Sequence, residues 1–449
     1  MFKKILIANR GEIAVRIIRA CREMGIQTVA VYSEGDREAL HAQMADECVC
    51  IGPSASKDSY LNENNILNAT ILKGAEAIHP GFGFLSENSR FAKMCEECNI
   101  KFIGPTAENI NNMGNKSKAR ELMEKANIPV VPGSKGIINN EEEAIVIAKE
   151  IGYPVMIKAS SGGGGKGIRI VNNENQLISD FNAAKREAKV SFNDDSMYIE
   201  KFIEKPRHIE IQLIADNYGN TVYLGERECS IQRKNQKVLE EAPSVFIDDS
   251  MRKKMGETAV KAAKSIGYVN AGTIEFLVDK HKKFYFMEMN TRIQVEHPVT
   301  EMVTGVDLIK EQIRIAYGEK LSFSQEDIKI TGHSIECRIN AEDPYKNFRP
   351  CPGEITNLYV PGGNGIRLDS AVYQGYKIPH CYDSMIGKLV VHGKDREEAI
   401  SKMKRALSEF IIEGVSTNID LQLDILTNES FVEGTFDTGF LEAYLNKVK

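Results

Sequence analysis

The segment from Glu288 to Glu296 carries the side chains with the clearest chemical potential, and it reads Glu-Met-Asn-Thr-Arg-Ile-Gln-Val-Glu. In an extended strand alternate side chains share one face. The side chains then expected together are Glu288, Asn290, Arg292, Gln294 and Glu296. A buried row of carboxylates, amides and a guanidinium needs compensation, which a divalent cation and an anionic substrate would supply. A solvated edge strand is the alternative, but alternating Lys and Glu would suit it better.

A second strand-like run, Thr273 to Val278, stands before a polar turn at Asp279 to Lys283. If the turn centres on His281 and Lys282, antiparallel pairing places Glu275 opposite Glu288, close enough for both to hold one metal ion. Hard oxygen ligands favour Mg²⁺ or Mn²⁺ over zinc, and substrate phosphates usually complete the Mg²⁺ shell. The sequence therefore predicts a metal site formed by Glu275, Glu288 and Asn290.

The composition limits the class of protein. The chain has 449 residues, of which 42% are hydrophobic and 27% charged, so we expect two or three globular domains. A net charge of -6 argues against a general nucleic-acid binder. No bilayer-length apolar run and no signal-peptide layout are found, so we expect a cytoplasmic protein without membrane contact. We interpret the nine cysteines as reduced thiols, and the pairs Cys48/Cys50 and Cys95/Cys98 as small buried residues rather than zinc ligands.

The first third of the chain has the pattern of a parallel sheet. A strand at Lys3 to Ala8, a helix at Glu12 to Met24 and a strand at Thr28 to Tyr32 form a β-α-β unit. Its first turn lacks G-x-G-x-x-G, which argues against a nicotinamide or flavin site there. Further on, the loop from His79 to Phe84 has Phe82 between two glycines. Either a ligand approaches the backbone at those glycines, or the loop is a tight turn with Phe82 in the core.

The run from Ser160 to Gly167 contains four adjacent glycines followed by Lys166. A strand, rather than a helix, follows the run, which excludes a Rossmann site, and Gly167 replaces the Ser or Thr that Walker A requires. The remaining interpretation is a hairpin whose N–H groups and Lys166 close over phosphates. A flexible linker is the alternative, although strands on both sides disfavour it.

The segments that follow supply further candidate contacts. Met197 to Ile203 reads as a strand leading into a turn that could contact an adenine edge, and Arg207 to Gln212 alternates like a half-buried strand. Gln232 to Lys237 is densely basic, and is either a solvated charge run or a cluster that neutralises phosphate and a small anion. The last third, with an amphipathic helix at Arg396 to Ile412, indicates a mixed α+β domain.

Several of these motifs together resemble biotin carboxylase, the ATP-grasp component of acetyl-CoA carboxylase and related biotin-dependent carboxylases. The resemblance extends over essentially the whole chain. The motifs that carry it are Asn9 to Ala14, His79 to Asn88, Lys158 to Ser160 with its glycine run, and Met289 to Pro298.

The resemblance implies an α/β and α+β protein of three domains. These are a Rossmann-like N-terminal domain at 1–114, an ATP-grasp domain at 115–330 with a glycine-rich lid at about 132–203, and a C-terminal α+β domain at 331–449. It also implies a ligase that uses ATP, Mg²⁺ or Mn²⁺ and bicarbonate to form carboxyphosphate, and then carboxylates N1′ of biotin on a carrier protein. In acetyl-CoA carboxylase this is the first step towards fatty acids.

The resemblance also assigns roles to residues. Glu296 would be the base, Arg338 would stabilise the biotin enolate, and Lys237 and Arg292 would act beside them. Bicarbonate would be bound by Lys237, Arg292, Gln294, Val295 and Glu296. Biotin would meet Phe82, Gly83 and Arg338, and the metals would be held by Glu275, Glu288 and Asn290. ATP would be bound by Lys116, Lys158, Gly164, Gly165, Glu200, Lys201, Phe202, Ile203, His208, Gln232, Asn235, Glu275 and Glu288.

Two residues depart from the pattern of bacterial members. Asn235 replaces a common His, which puts one nucleotide contact in doubt, and Phe82 replaces a common Tyr, which removes a hydroxyl near the biotin pocket. We expect activity to survive both changes.

The chain carries no Ala-Met-Lys-Met biotin-attachment motif and no transferase domain, so we expect the carrier and the carboxyltransferase on separate chains. The resemblance also implies a homodimer. Three alternatives stay open. They are the carboxylase component of a pyruvate carboxylase, another ATP-grasp ligase such as half of a carbamoyl-phosphate synthase, and a non-catalytic regulatory chain that binds ATP. The presence of Glu275, Glu288, Lys237 and Glu296 argues against the last of these.

Overall fold

The computed structural model of the protein describes residues 1–160, 167–192 and 194–448. The chain divides into two compact units. The first contains Met1–Gly114, Arg207–Glu275 and Met289–Lys449, and the second contains Asn115–Pro206 and Phe276–Glu288.

The N-terminal part of the first unit is a parallel sheet with helices on its faces, as the β-α-β pattern predicts. The strand order is β3-β2-β1-β4-β5, and the register pairs all run parallel. The loop after β4 therefore leaves the carboxyl edge of this sheet, and it carries Phe82 and Gly83. The elements are β1 (Lys4–Ile7), α1 (Gly11–Glu23), β2 (Gln27–Tyr32), α2 (Leu40–Met44), β3 (Glu47–Cys50), α3 (Glu63–Lys73), β4 (Ala77–His79), α4 (Ser89–Glu97), β5 (Lys101–Phe102) and α5 (Ala107–Gly114).

The second unit is built on a small antiparallel sheet with the order β7-β6-β8. Phe181 and Leu177 from one helix and Ala144 and Ala148 from another bury the apolar face of this sheet. The pairing of β6 with β7 confirms the predicted hairpin, although the glycines at its tip lie outside the described residues. The elements are α6 (Lys116–Lys125), α7 (Glu141–Ile151), β6 (Val155–Ala159), β7 (Ile168–Val171), α8 (Glu174–Phe192) and β8 (Met197–Lys201).

The rest of the chain contributes the main sheet, in which the strand order within the first unit is β12-β9-β10-β11-β14-β19-β18. The hairpin predicted at Asp279 to Lys283 is present. One strand ends just before this turn, and the next strand begins just after it. The elements are β9 (Arg207–Ala215), β10 (Thr221–Arg233), β11 (Gln236–Ala242), α9 (Asp249–Ser265), β12 (Asn270–Val278), β13 (Phe284–Asn290), α10 (His297–Thr304), α11 (Leu308–Tyr317), β14 (His333–Asn340), β15 (Glu342–Asp343), β16 (Arg349–Pro350), β17 (Asn357–Tyr359), β18 (Ile366–Ser370), β19 (Met385–Gly393), α12 (Arg396–Glu409), β20 (Ile411–Glu413), α13 (Ile419–Thr427), α14 (Glu429–Val432) and α15 (Phe440–Val448).

The main sheet is buried on both faces, and one of those faces is polar. Every residue of β9 is buried, so the prediction of a half-buried strand at Arg207 to Gln212 is wrong. The alternation is real, but the polar residues Glu210 and Gln212 face buried partners instead of water. Buried ionised groups need pairing, and the side chains that pair them form the site described below.

Helix α12 covers the opposite, apolar face of the C-terminal part of this sheet. Ile400, Met403, Leu407 and Phe410 are all buried, as the amphipathic pattern predicts. Asp395 caps the helix by accepting a hydrogen bond from the N–H group of Glu398 over 2.9 Å. The core of this region thus fixes β14 and β19 from one side, and leaves their polar side chains on the other face.

The cysteines are free thiols. Cys95 is buried as expected, whereas Cys48, Cys50 and Cys98 are exposed, so the prediction of buried thiols is wrong for these three. Cys48 and Cys50 lie on the edge strand β3, where the sheet does not cover them. Among the described helices none has the length and apolar character needed to cross a membrane.

Candidate active site

A buried ammonium group lies at the centre of the candidate site. Lys237 on β11 donates hydrogen bonds from Nζ to Glu210 over 2.6 Å, to Glu275 over 2.9 Å and to Glu296 over 2.6 Å. Its side chain is only 11% exposed. Burial alone would lower the pKa of Lys237, but Glu210 and the other carboxylates raise it well above its usual value. The group is therefore a permanent cation near neutral pH.

A second cation approaches Glu296 from the neighbouring strand. Arg338 on β14 donates from Nη2 to Oε2 of Glu296 over 3.0 Å and from Nε to Oε1 of Glu240 over 2.7 Å. Its side chain is 15% exposed, whereas that of Glu240 is fully buried. A guanidinium stays charged and offers several N–H groups in a fixed plane. Arg338 can therefore hold Glu296 and still present an N–H group towards a second acceptor.

The two glutamates that meet Arg338 differ in their protonation. Burial alone would raise the pKa of Glu296, but Lys237, Arg338 and Arg227 hold it well below its usual value. Burial raises the pKa of Glu240 to about 7, against the opposing effect of Arg338. The site thus contains one carboxylate that is kept ionised and able to accept a proton, beside another that titrates near neutral pH.

The segment that leads to Glu296 is not an extended strand throughout. Strand β13 ends at Asn290, and residues 291–296 form turns before α10. The prediction of one extended row is therefore wrong beyond Asn290. Glu87 binds the chain where it leaves the strand. Its Oε1 accepts a hydrogen bond from the backbone N–H of Thr291 over 3.0 Å, and its Oε2 accepts one from Nε of Arg292 over 2.8 Å.

The turns nevertheless bring the predicted side chains of the first unit together. Arg292 donates to Gln294 over 2.7 Å and to Asn290 over 3.1 Å. Asn290 and Gln294 in turn donate to Oε1 of Glu275 over 2.9 Å and 3.1 Å. Asn290, Arg292 and Gln294 thus form one hydrogen-bonded set around the carboxylate of Glu275.

Glu275 has the properties that a hard cation requires of a ligand. Burial alone would raise its pKa, but Lys237 and His208 hold it well below the usual value, so it carries no proton near neutral pH. His208 Nε2 lies 2.9 Å from Oε2, and Asn290 donates from Nδ2 to Oε1 while its amide oxygen accepts from Arg292. His208, Glu210 and Glu275 place ligand atoms within 4.8 Å of one another. Oxygen donors of this kind fit Mg²⁺ or Mn²⁺. Glu288, the third predicted ligand, belongs to the second unit.

The second unit holds its own group of cations. Lys116 at the start of α6 lies 3.2 Å from Glu288, and Lys158 on β6 pairs with Glu200 on β8. Burial lowers the pKa of Lys158 to about 8, and Lys116 and Arg120 add to that effect by repulsion. Lysines that repel each other in this way are suited to an anionic ligand such as phosphate.

The predicted adenine contacts lie at the end of β8. Lys201 is the last residue of the strand and donates from Nζ to the carbonyl oxygen of Tyr153 over 2.9 Å. The N–H group of Phe202 donates to Pro154 over 3.1 Å, and both Phe202 and Ile203 are half-buried. Of the remaining predicted ATP contacts in this unit, Gly164 and Gly165 lie outside the described residues.

The basic segment at Gln232 to Lys237 is the tip of the β10-β11 hairpin. Lys234 and Asn235 have φ values of +48° and +64° and form its turn. Asn is one of the residues that tolerates this conformation best, which gives a physical reason for Asn at 235. Lys237 points inward, and Arg233 stacks on Phe348 at 4.2 Å, so the segment is not a simple solvated charge run. Gln232 Nε2 lies 3.3 Å from Nδ1 of His208.

The loop after β4 is held by Asn9. Its Nδ2 donates to the carbonyl oxygens of Pro80 and Phe82 over 2.6 Å and 2.7 Å. A Cβ atom at Gly81 would lie only 3.0 Å from the Asn9 amide, so a glycine at this position leaves room for Asn9. A Cβ atom at Gly83 would have no atom within 4 Å. Phe82 is half-buried and packs against the core of the first unit. The packing of Phe82 agrees with the interpretation of a tight turn, and the approach of a ligand at Gly83 stays a prediction.

Sequence reasoning missed several charged groups of the site. Glu210, Arg227 and Glu240 lie within strands, and only their pairing across the sheet identifies them. Arg227 donates to Gln212 over 2.7 Å, and all the polar atoms of its guanidinium are buried. Alternation in these strands shows which residues share a face, but it does not show that the polar face is buried, so no local signal identifies these groups.

Three family models match the chain along most of its length. The chain matches the family models for the biotin carboxylase N-terminal domain at residues 1–110, the carbamoyl-phosphate synthase L chain ATP-binding domain at 115–324 and the biotin carboxylase C-terminal domain at 336–443. It is 62% identical to Biotin carboxylase 1 of Bacillus subtilis (strain 168) over 99% of each chain.

Two further relatives show the range of proteins that this chain resembles. One of the pyruvate carboxylase subunits of Methanothermobacter thermautotrophicus is 55% identical over 99% of this chain and 90% of its own length. The biotin carboxylase domain dimer of the 2-oxoglutarate carboxylase of Hydrogenobacter thermophilus, solved with MgADP, ADP and bicarbonate, is 54% identical. It superposes with a TM-score of 0.93 and covers 99% of this chain and 98% of its own.

Proposed function

This chain belongs to the biotin carboxylase family, and from that premise we propose that it uses ATP and bicarbonate to carboxylate biotin on a carrier protein. The observation that carries the proposal is the position of Glu296, an ionised buried carboxylate between Lys237 at 2.6 Å and Arg338 at 3.0 Å. A base beside two cations is what the deprotonation of a bound bicarbonate requires.

In the first step an oxygen of bicarbonate attacks the γ-phosphorus of ATP and displaces ADP, while Glu296 accepts the bicarbonate proton. Lys237, Arg292, Gln294 and the backbone of Val295 would hold the bicarbonate. Without ligand, Lys237 lowers the proton affinity of Glu296. When Lys237 turns to a bound anion, that affinity rises, so substrate binding would itself activate the base.

The phosphates of ATP would be neutralised by Lys116 and Lys158. Glu275, Glu288 and Asn290 would hold Mg²⁺ or Mn²⁺, which supplies positive charge to the phosphate oxygens. Glu200, Lys201, Phe202, Ile203, His208, Gln232 and Asn235 would contact the remainder of the nucleotide, and Gly164 and Gly165 would close over it.

In the second step carboxyphosphate gives its carboxyl group to N1′ of biotin, its C–O bond to phosphorus-bound oxygen breaks, and the released phosphate takes up the N1′ proton. Arg338 would stabilise the enolate oxygen that forms as N1′ loses its proton, because its guanidinium stays charged while it holds Glu296. Phe82 and Gly83 would flank the biotin ring. Phe82 offers no hydroxyl, so the ring contact there would be apolar.

We propose the same organisation for the domains as the sequence predicts, namely 1–114, 115–330 with a lid at about 132–203, and 331–449. The family models at 1–110, 115–324 and 336–443 support it. We further propose a homodimer in the cytoplasm, where ATP is available, with the carrier and the carboxyltransferase on separate chains.

We propose acetyl-CoA as the final acceptor, as the resemblance to the ATP-grasp component of acetyl-CoA carboxylase implies. Pyruvate is the second candidate, favoured by the 55% identity to a component of a pyruvate carboxylase. Reconstitution with a carrier and a transferase of each kind, followed by product analysis, distinguishes the two acceptors.

The proposed first step is tested with ¹⁸O-labelled bicarbonate. The mechanism moves one bicarbonate oxygen onto the phosphate that is released, which mass spectrometry of that phosphate measures directly. Release of phosphate without ¹⁸O, at the same rate as with unlabelled bicarbonate, would contradict an attack by bicarbonate on ATP.

A further inference from the structure

A second buried lysine lies directly beside the segment that carries the base. Lys388 on β19 is completely buried, and its Nζ donates a hydrogen bond to the carbonyl oxygen of Val295 over 2.8 Å. The same Nζ lies 3.2 Å from a carboxylate oxygen of Glu12 at the start of α1 and 5.9 Å from the ring centre of Phe82. One ammonium group thus joins the base segment, helix α1 and the loop after β4.

The sheet register places Lys388 beside Arg338. The two residues are directly opposite each other on β19 and β14, and Asp369 on β18 is opposite Lys388 on its other side. Residues opposite each other in an antiparallel pair project to the same face. Arg338 therefore holds the carboxylate of Glu296 while Lys388, from the next strand, holds the peptide carbonyl that precedes Glu296.

A buried ammonium at this position is costly for stability. Its one carboxylate within salt-bridge distance is Glu12, among the residues that the structure describes. The nearby carboxylate of Glu336 is also buried, and neither of its oxygens has a hydrogen-bond partner in the described part of the chain. An apolar side chain of similar size would fill the same space without the cost of desolvating a charge. The presence of Lys388 is explained if its hydrogen bond fixes the position of the Val295 carbonyl, which an apolar side chain cannot do.

We propose that Lys388 is a positioning residue for the carboxylation of biotin, which holds the Val295–Glu296 peptide and thereby fixes the base relative to Arg338 and the bicarbonate. This inference rests on the proposed function. By donating to the Val295 carbonyl, Lys388 fixes the orientation of that peptide plane, which also contains the Cα atom that carries the side chain of Glu296. Displacement of a reacting group by about 1 Å is enough to reduce a rate about 100-fold.

The test compares Lys388→Met with Lys402→Met. Lys402 is a matched control, because it also donates to a backbone carbonyl, that of His392 over 2.9 Å, and also pairs with a glutamate, Glu398, at 3.1 Å. A double variant, Lys388→Met with Glu12→Gln, removes the charge that the single variant would leave unpaired. For each protein we would measure the thermal midpoint, kcat, KM for ATP and KM for bicarbonate.

We expect kcat/KM for bicarbonate to fall at least about 10-fold in Lys388→Met and equally in the double variant, with KM for ATP within about twofold of wild type. Lys402→Met should keep the wild-type kcat/KM for bicarbonate and the wild-type KM for ATP. A folded double variant with unchanged kcat/KM for bicarbonate would overturn the inference. A rise in KM for ATP as large as the fall in kcat/KM for bicarbonate would also overturn it, because such a rise would indicate a general structural role. If the wild type itself shows no bicarbonate-dependent hydrolysis of ATP, the proposed function fails instead.

Discussion

Lys237 donates a hydrogen bond to Glu296 over 2.6 Å, and both groups are shielded from solvent. The same ammonium also holds Glu210 and Glu275, so one cation controls the protonation of three carboxylates. Lys237 lowers the pKa of Glu296, and the proposed mechanism requires this pKa to rise when Lys237 turns to bicarbonate.

The pKa of Lys158 gives a prediction for the pH dependence of ATP binding. Burial and the neighbouring cations lower this pKa to about 8, so the side chain is charged below pH 8 and becomes neutral above it. We expect KM for ATP to rise as the pH passes from 7.5 to 9. In Lys158→Arg the charge persists, and the rise should disappear. Lys118→Arg, an exposed position on the same helix as Lys116, is the control and should keep the wild-type profile. A wild-type KM that stays constant to pH 9 would contradict this assignment.

Arg338 should affect the biotin step more than the ATP step. Removal of one donor to a developing oxyanion typically costs about 10²- to 10³-fold in rate. For Arg338→Gln we therefore expect the biotin-stimulated release of ADP to fall by about 100-fold or more, with a smaller loss in the rate without biotin. Arg37→Gln, at an exposed position outside the site, controls for the loss of an arginine. Equal losses with and without biotin would argue that Arg338 serves only to hold Glu296.

Glu275 should determine the affinity for the metal. Lys237 and His208 hold the pKa of its carboxyl well below the usual value, and Gln at this position keeps the shape but removes the charge. We expect Glu275→Gln to weaken Mn²⁺ binding, in the presence of ADP, by at least about 10-fold when measured by electron paramagnetic resonance. The exposed Glu121→Gln should bind Mn²⁺ like the wild type. Unchanged Mn²⁺ affinity in Glu275→Gln would remove this residue from the metal site.

The pKa of Glu12 gives a prediction for stability. Burial raises this pKa to about 7 from an unfolded value near 4.5, although Lys388 opposes the shift. Between those two pH values the folded state therefore binds more protons than the unfolded state, and stability falls as the pH rises. Above pH 7 the two states bind equally, and the contribution levels off.

We therefore expect the free energy of unfolding of wild type, relative to Glu12→Gln, to decline by at most about 1.4 kcal/mol per pH unit between pH 5 and 7. Urea unfolding at pH 5, 6, 7 and 8 measures this difference. Glu108→Gln, at a surface position, provides the control variant. A difference between wild type and Glu12→Gln that is independent of pH would show that Glu12 is ionised throughout this range.

Much of the fold could be predicted from the sequence, because its local signals agree with the final structure. The β-α-β start, the hairpin at Asp279 to Lys283 and the apolar stripe of α12 depend on periodicity and turn residues that are close in sequence. Strand β9 shows the limit of such reasoning. Alternation reveals which residues share a face, but it does not reveal whether the polar face meets water or a second layer of the protein.

The site can be predicted in part for the same reason. The residues from Asn290 to Glu296 are adjacent in sequence, so their types alone indicate a charged cluster. Their geometry depends on Glu87, which is about 200 positions away in sequence and captures Thr291 and Arg292. Lys388 likewise contributes through a contact with Val295 that is 93 residues distant. Long-range pairings of this kind leave no local pattern in a single sequence.

The central claim is that Glu296 is the base of a bicarbonate-dependent reaction with ATP. The most direct test is the release of ADP by the purified chain in Mg²⁺ and ATP, with and without bicarbonate and free biotin, for wild type and Glu296→Gln. We predict release that requires bicarbonate, increases with biotin and falls by about 100-fold or more in the variant, since general base catalysis contributes about 10²- to 10⁴-fold. Release that is indifferent to bicarbonate, or that persists in a folded Glu296→Gln protein, would contradict the claim.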